Sequence, residues 1–353
     1  MAEGYVACRR DEIGSLFSVE WRQNARAIRK HAWDSAVLCF GTSLSRMGVA
    51  PRVIEERLGM PAYNFAASGS QPFACYVALR DALASGARPR AIVVDYAWTT
   101  LGQPDTFNET GLVASRPLGD LIEWALAAGD ASLLSRMVLA WALPSFHGRP
   151  EVRANIAAAL RGAEPERNPA RFLYARHAAT NRGACLQGSV GYDGSVDAAN
   201  PVMFPKEWGC TAASRRYIDE FLELAASRGI PVFWALPPMA AGAQNHWASS
   251  GTRASYMAMA ESIAARHPNV TLVDATTARY PAEAFNDPVH LNRDGAVVFS
   301  AGLADAMRPR LNGDRGPGRV VLADYRPDPD AGRVEDSRAT LAKMQAALDP
   351  RRR

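Results

Sequence analysis

The sequence predicts an α/β protein built on a doubly wound parallel sheet of five strands in a three-layer arrangement, with a large inserted cap. Three observations carry this expectation. Short apolar runs of four to six residues recur along the chain, stretches of helical period separate them, and the connection after the third run is far longer than a crossover needs. Strands joined by helices, rather than by tight turns, are the pattern of parallel pairing.

Taken in order, residues 1–35 read as a helical lead-in, and the first strand is AVLCF at Ala36–Phe40. Pro51 opens a helix, PRVIEERL, that stops at Gly59, in keeping with proline at the start of a helix and glycine just past its end. Strands two and three are Ala62–Phe65 and Ala91–Tyr96. The connection from about Thr99 to about Ala212 exceeds a hundred residues and must carry structure of its own. Its first part is helical in pattern (LGDLIEWALAAGDASLLSRMVLAWAL, then EVRANIAAALRGA). Its second part, GACLQGSVGYDGSVDAANPVMFPKEWGC, reads as a Gly- and Pro-bearing loop, and the whole is expected to lie as a cap over the sheet's carboxyl edge. The amphipathic run Arg216–Ser227, ending at Gly229, leads to strand four at Pro231–Leu236. Strand five is Val270–Val273, and a last helix follows Asp294-Gly295. The α/β domain thus spans residues 36–311, with the order of elements expected of a flavodoxin-like sheet. Residues 312–353 turn to Asp, Arg, Pro and Gly and read as a polar, partly mobile tail with a short helical end.

Bulk properties exclude several classes. The chain has 353 residues, 40 basic against 36 acidic, and its only dense basic run is Arg351-Arg352-Arg353; no basic stripe with interleaved aromatics argues for nucleic acid. Five cysteines (Cys8, Cys39, Cys75, Cys185, Cys210) at irregular spacings give neither a zinc pattern nor a disulfide framework, although Cys185 and Cys210 could pair in an oxidising compartment. The first thirty residues contain no apolar stretch long enough for a signal-peptide core or a membrane span, so the protein is expected to be soluble as written.

Two short motifs carry chemistry. The first strand ends in FGTSLSRMG, so Gly41, Thr42 and Ser43 form a tight strand-to-helix turn whose hydroxyl lies near backbone N–H groups able to bind a developing oxyanion. Alone, this is more often just a turn with a Ser or Thr cap. Near the other end, FNDPVHLNRDG sets Asp287 three residues before His290, a spacing that can bring a carboxylate under one imidazole nitrogen and leave the other for a nucleophile. Alone, this is an Asp-Pro turn beside a histidine. Both loops belong to one edge of the sheet, and together Ser43, His290 and Asp287 are what an acyl-transfer triad needs.

With these residues the chain resembles the SGNH (GDSL-type) hydrolase superfamily, in a divergent branch similar to cell-surface polysaccharide O-acetyltransferases and esterases. The resemblance covers Ala36–Ala97 and Arg216–Met307 and includes YNFAASGSQP after the second strand. It implies Ser43 as nucleophile, His290 as general base and then acid, Asp287 as the group that holds the imidazole tautomer, and Ser43 and Gly69 as oxyanion donors. Thr42 stands where the family has Asp, and DYAWTT (Asp95 to Thr100) stands where it has Gly-x-Asn-Asp, leaving the Thr99 hydroxyl to substitute for the Asn. Loss of one oxyanion donor can cost about two to three orders of magnitude in rate. The implied activity is ester hydrolysis or O-acyl transfer through an acyl-enzyme, on a small-molecule ester or an acylated carbohydrate, with neither metal nor cofactor required. Relatives of this branch are exported or membrane-associated.

Other residues have weaker readings. Arg46 either binds an anionic group of the substrate or is a solvated cation at the helix start. Trp98, Phe204 and Trp208 either form an apolar or sugar-stacking wall or supply the cap's own core. Asn64 is expected to brace the second-strand turn, Asn292 to order the loop after His290, and the loop from Pro237-Pro238-Met239 to Trp247 to line a pocket, with His246 exposed. A rival from another class is a non-catalytic carbohydrate-binding module on the same fold, drawing on the missing third-block Asn. A nucleotide-binding protein ranks last, since neither a Gly-rich phosphate loop nor a GK[ST] motif occurs. Oligomeric state is not legible in the sequence.

Overall fold

All five expected runs form strands: β1 Val37–Phe40, β2 Ala62–Asn64, β3 Ala91–Val94, β4 Val232–Leu236 and β5 Val270–Asp274. The computed structural model describes residues 2–348 apart from residues 9, 14, 147–152, 155–156, 159, 163–168, 206 and 315–317. The sheet is all parallel, with strand order β2-β1-β3-β4-β5-β6, where β6 is Arg319–Val321. Val37 pairs with both Ala62 and Ala91, Val232 with Val270, and Leu272 with Arg319.

Side chains alternate between the two faces, and helices cover both. Leu38, Phe40, Ile92, Val94, Trp234 and Leu272 join one buried cluster, shared with helices Pro72–Ala84, Ala212–Ala226 and Thr252–Arg266. Val37, Cys39, Val93, Phe233, Ala235 and Val273 join the other, shared with helices Pro51–Leu58 and Arg293–Leu311. Burial on both faces is why the strands read as continuous apolar runs instead of alternating ones.

The sheet has six strands, not the expected five, and the sixth comes from the segment read as an appended tail. β6 is an edge strand of three residues, largely exposed, whose Arg319 guanidinium pairs with the fully buried Asp274 carboxylate at the end of β5. Farther on, Ala331 and Val334 are buried in the second cluster, and helix Ser337–Leu348 packs on helix Pro169–Thr180, where His177 Nδ1 lies 2.9 Å from Thr340 Oγ1. The expectation of an appended tail is therefore corrected for residues 318–336, while the short helical end expected at residues 340–350 is present as helix Ser337–Leu348. A three-residue edge strand, held by its pairing with β5 and by ion pairs of Arg319 with Asp274 and Glu261, leaves too little apolar periodicity to be seen locally. The terminal Arg351 to Arg353 lie outside the described residues.

The lead-in is helical, and its main helix Leu16–His31 packs into the fold: Trp21, Ala25 and Ile28 are buried, and Trp21 Nε1 donates to the Ser68 carbonyl at 3.2 Å. The insertion divides its work. Helices Glu109–Ser115, Leu118–Ala128 and Ala131–Ala142 build a third cluster, with Leu112, Leu121, Trp124, Leu133 and Met137 packed against Trp21, Phe73 and Tyr217. They extend the helix layer on one flank of the sheet. The irregular half borders the carboxyl edge, held there by Cys185 N–H to the Arg46 carbonyl (2.8 Å) and Arg293 N–H to the Gln187 carbonyl (2.7 Å). The second helical stretch expected, residues 151–163, falls partly outside the described residues. All five cysteines are free, so Cys185 and Cys210 do not pair. Among the described residues no helix is long and apolar enough to cross a membrane.

Candidate active site

In the order β2-β1-β3 the chain reverses direction of travel across the sheet at β1, so the loops after β1 and β3 part and leave a crevice at the carboxyl edge. The loop after β1 carries Gly41, Thr42 and Ser43; the residue after β3 is Asp95. Ser43 opens helix Ser43–Gly48, capped by the Thr42 hydroxyl, which accepts from Leu44 N–H at 3.2 Å. The Asp95 carboxylate reaches across from β3. Its Oδ1 accepts from Thr42 N–H (2.9 Å) and Ser45 N–H (3.1 Å), and its Oδ2 from the Thr42 hydroxyl (2.7 Å). Burial pushes the Asp95 carboxyl above the usual carboxylate range, and these bonds offset only part of that rise. Gly41, at φ +130°, leaves room for this approach: a Cβ there would lie 2.1 Å from Asp95 Oδ1.

The partners of Ser43 come from the loop after β5. Asn286 N–H donates to the His290 carbonyl at 2.8 Å, and Phe285 and Leu291 form an antiparallel bridge, so residues 286–290 close a tight turn. Asn292 then caps helix Arg293–Leu311 through Asp294 N–H and Gly295 N–H, and its amide donates to the Glu283 carbonyl at 2.6 Å. This is the ordering role expected of it. Inside the turn, Asp287 Oδ1 accepts from Val289 N–H (2.9 Å) and His290 N–H (2.8 Å), while Oδ2 lies 2.6 Å from His290 Nδ1. An ionised carboxylate only accepts, so Nδ1 carries the proton and Nε2 is left as an acceptor. The Ser43 hydroxyl stands 2.8 Å from Nε2. Burial pushes the Asp287 carboxyl up, but bonds from the His290 ring, the attraction of that ring and the two backbone N–H groups outweigh it and hold the carboxyl below the usual range.

Of the oxyanion candidates, Gly69 lies in a left-handed turn after β2 (φ +68°), its carbonyl held by the Asn108 amide at 2.7 Å. Among the described residues, neither the Ser43 nor the Gly69 backbone N–H has a hydrogen-bond partner. Thr99 is half-buried on the one-turn helix Trp98–Leu101, and its hydroxyl likewise has no partner. Asn64 braces the turn as expected, donating to the Ser45 and Val49 carbonyls and accepting from Ala66 N–H.

Arg46 departs from both of its readings, and Trp98, Phe204 and Trp208 follow the second of theirs. Arg46 is buried, its Nε 3.3 Å from Glu20 Oε1 and its Nη1 donating to the Ala66 carbonyl at 3.0 Å, while Glu20 also accepts from Ser68 N–H at 2.6 Å. The guanidinium ties the Ser43 helix to the loop that precedes Gly69 and is buried, so it is not a solvated cation. Replacing it with Ala leaves Glu20 charged and buried without this partner, so Arg46→Ala is expected to cost about 3–5 kcal/mol in a denaturant titration. A loss below about 1 kcal/mol, the worth of an exposed pair, would contradict this. Trp98 and Phe204 are buried, and Trp208 is half-buried. Trp98 Nε1 donates to the Met203 carbonyl (2.8 Å) and Trp208 Nε1 to the Trp98 carbonyl (2.9 Å). Trp98 packs on Trp247 at 4.9 Å between centroids, and Phe204 meets the edge of the half-buried His246 at 4.5 Å. These aromatics are the internal core that seats the irregular loop, and an open sugar-stacking wall is not what they form. Met239 is buried with them, and Ala240 N–H donates to the Pro288 carbonyl at 3.0 Å, joining this loop to the Asp287–His290 turn.

Sequence reasoning noted Asp95 only as the start of the departed third block. The signal that could have found it is an acid at the end of a buried apolar strand, paired with a glycine at the matching end of the neighbouring strand. No protein-family model and no curated protein matches the chain.

Proposed function

We propose that this chain is an SGNH-like serine ester hydrolase or O-acyltransferase. The observation that carries the reading is the continuous relay from Ser43 Oγ to His290 Nε2 (2.8 Å) and from His290 Nδ1 to Asp287 Oδ2 (2.6 Å), assembled from two loops at one sheet edge. A strand order that begins 2-1-3-4-5, with helices on both faces, supports a doubly wound, flavodoxin-like version of the fold.

In this chemistry Ser43 Oγ attacks the acyl carbon as His290 Nε2 takes its proton. Negative charge gathers on the former carbonyl oxygen, where the unpartnered Ser43 and Gly69 N–H groups can receive it. The imidazolium, held by the Asp287 carboxylate, returns the proton to the departing alcohol oxygen. Water or a sugar hydroxyl, deprotonated by the same imidazole, then resolves the acyl-enzyme. The substrate class is a small ester or an acylated carbohydrate.

The test is intact mass after incubation with diisopropyl fluorophosphonate, followed by peptide mapping. A single adduct on Ser43, absent from Ser43→Ala, is expected. Folded protein that takes up no adduct and hydrolyses no aryl ester would overturn the proposal and bring forward a non-catalytic carbohydrate-binding role.

A further inference from the structure

The backbone N–H groups of the turn around Ser43 divide their work. Thr42 N–H and Ser45 N–H both go to Asp95 Oδ1, at 2.9 and 3.1 Å. Leu44 N–H goes to the Thr42 hydroxyl at 3.2 Å, and that hydroxyl in turn donates to Asp95 Oδ2 at 2.7 Å. Arg46 N–H goes to the Thr42 carbonyl at 3.0 Å. One donor in this run of five residues is left over, the N–H of Ser43. A helix start normally presents several unpaired N–H groups, which would bind an anion diffusely; here all but one are satisfied inside the protein.

We propose that Asp95 and Thr42 are positioning residues of the nucleophile, which fix the Ser43 turn and reserve the Ser43 N–H as its one donor to an oxyanion. This rests on the reading of Ser43 as the nucleophile. Three features make the arrangement specific. The carboxylate is 1% exposed, so its bonds to the turn are shielded from water. It comes from β3, the strand paired beside β1 in register (Phe40 with Val94), so the sheet itself sets the distance to the turn. Gly41 leaves the space that the carboxylate enters. Neither residue touches the reacting atoms. Their effect passes through the placement of the Ser43 hydroxyl against His290 Nε2 and of the Ser43 N–H against the developing charge, where an error of about 1 Å can cost a hundredfold in rate.

Three variants test this, read by the rate constant for diisopropyl fluorophosphonate modification of Ser43 and by kcat and KM on p-nitrophenyl acetate. Thr42→Val removes the hydroxyl, freeing Leu44 N–H and one bond to Asp95, and is expected to lower both the modification rate and kcat by about ten- to a hundredfold with KM within about twofold. Thr42→Ser keeps the hydroxyl and is expected to restore most of the rate. Asp95→Asn keeps one acceptor oxygen and is expected to lower kcat by about a hundredfold; should it not fold, the Val and Ser pair decides. The inference is overturned if folded Thr42→Val reacts at the wild-type rate, or if Thr42→Ser loses as much as Thr42→Val. Those outcomes leave the nucleophile reading intact, because wild-type Ser43 is still modified. A wild type that takes up no fluorophosphonate and turns over no ester overturns both.

Discussion

Ser43→Ala is expected to lower kcat on an aryl acetate by roughly four to six orders of magnitude, to a residual rate still above that in water. The size follows from how the three groups act as one unit. With Oγ gone, His290 has no nucleophile to deprotonate, and Asp287 orients an imidazole that no longer takes part. What remains is binding and the oxyanion donors. Because the Ser43 side chain enters only the relay, the Ala variant keeps the free N–H and the whole hydrogen-bond frame of the turn, so the fold is expected to be undisturbed. The comparison is wild type against variant in stopped-flow and steady-state assays, with His290→Ala added. On the proposed chemistry the double variant is scarcely slower than either single one. Losses that instead multiply, or a Ser43→Ala protein within tenfold of wild type, would show that the hydrolysis does not pass through this hydroxyl.

The second large effect is expected from Asp287→Asn, at about 10⁴-fold in kcat with little change in the fold. The carboxylate accepts from two backbone N–H groups through Oδ1, and an amide oxygen can do the same. What the amide cannot do is accept from Nδ1–H through Oδ2; its NH₂ group there favours the tautomer with the proton on Nε2, which faces the Ser43 hydroxyl as a donor and cannot take its proton. The depressed pKa of Asp287 sharpens the test, since the native group stays ionised from pH 5 to 8 and the defect of the Asn variant should persist across that range. A kcat within tenfold of wild type would mean that Asp287 shapes the turn without setting the tautomer.

Neither effect depends on the residues that depart most from the resemblance, and Asp95 changes how those departures look. Thr42 lacks the carboxylate expected at its position, and DYAWTT lacks the expected Asn. In the folded chain the two segments meet, with the Asp95 carboxylate bonded to the Thr42 hydroxyl and to two N–H groups of its turn. Read one at a time, each is a missing residue. Together they form a single buried arrangement, which a reading of separate motifs has no means of seeing.

Much was legible in the sequence because it is written locally. Strands β1 to β5 were readable to within two residues because burial on both faces keeps them largely apolar, without a break in β1, β3 and β4, and the helices were marked by their own punctuation, such as Pro51 and Gly59. Ser43, Asp287 and His290 stood out because each sits in a short motif whose spacing has a geometric meaning. Only the tertiary structure could decide which charges are used inside the protein. Arg46 stood between a substrate ligand and a solvated cation until Glu20 and the Ala66 carbonyl were found around it, and Trp98, Phe204 and Trp208 stood between an open wall and the cap's own core until their contacts with Met203, Trp247 and His246 decided for the core. β6 is a strand by its pairing in register with β5, where Arg319 meets Asp274, 45 residues earlier in the chain. The physical reason is common to all of these. Periodicity and capping act between residues a few positions apart and leave a trace in the sequence, whereas an ion pair or an aromatic contact is set by distance in space, and the chain that separates its partners carries no record of it.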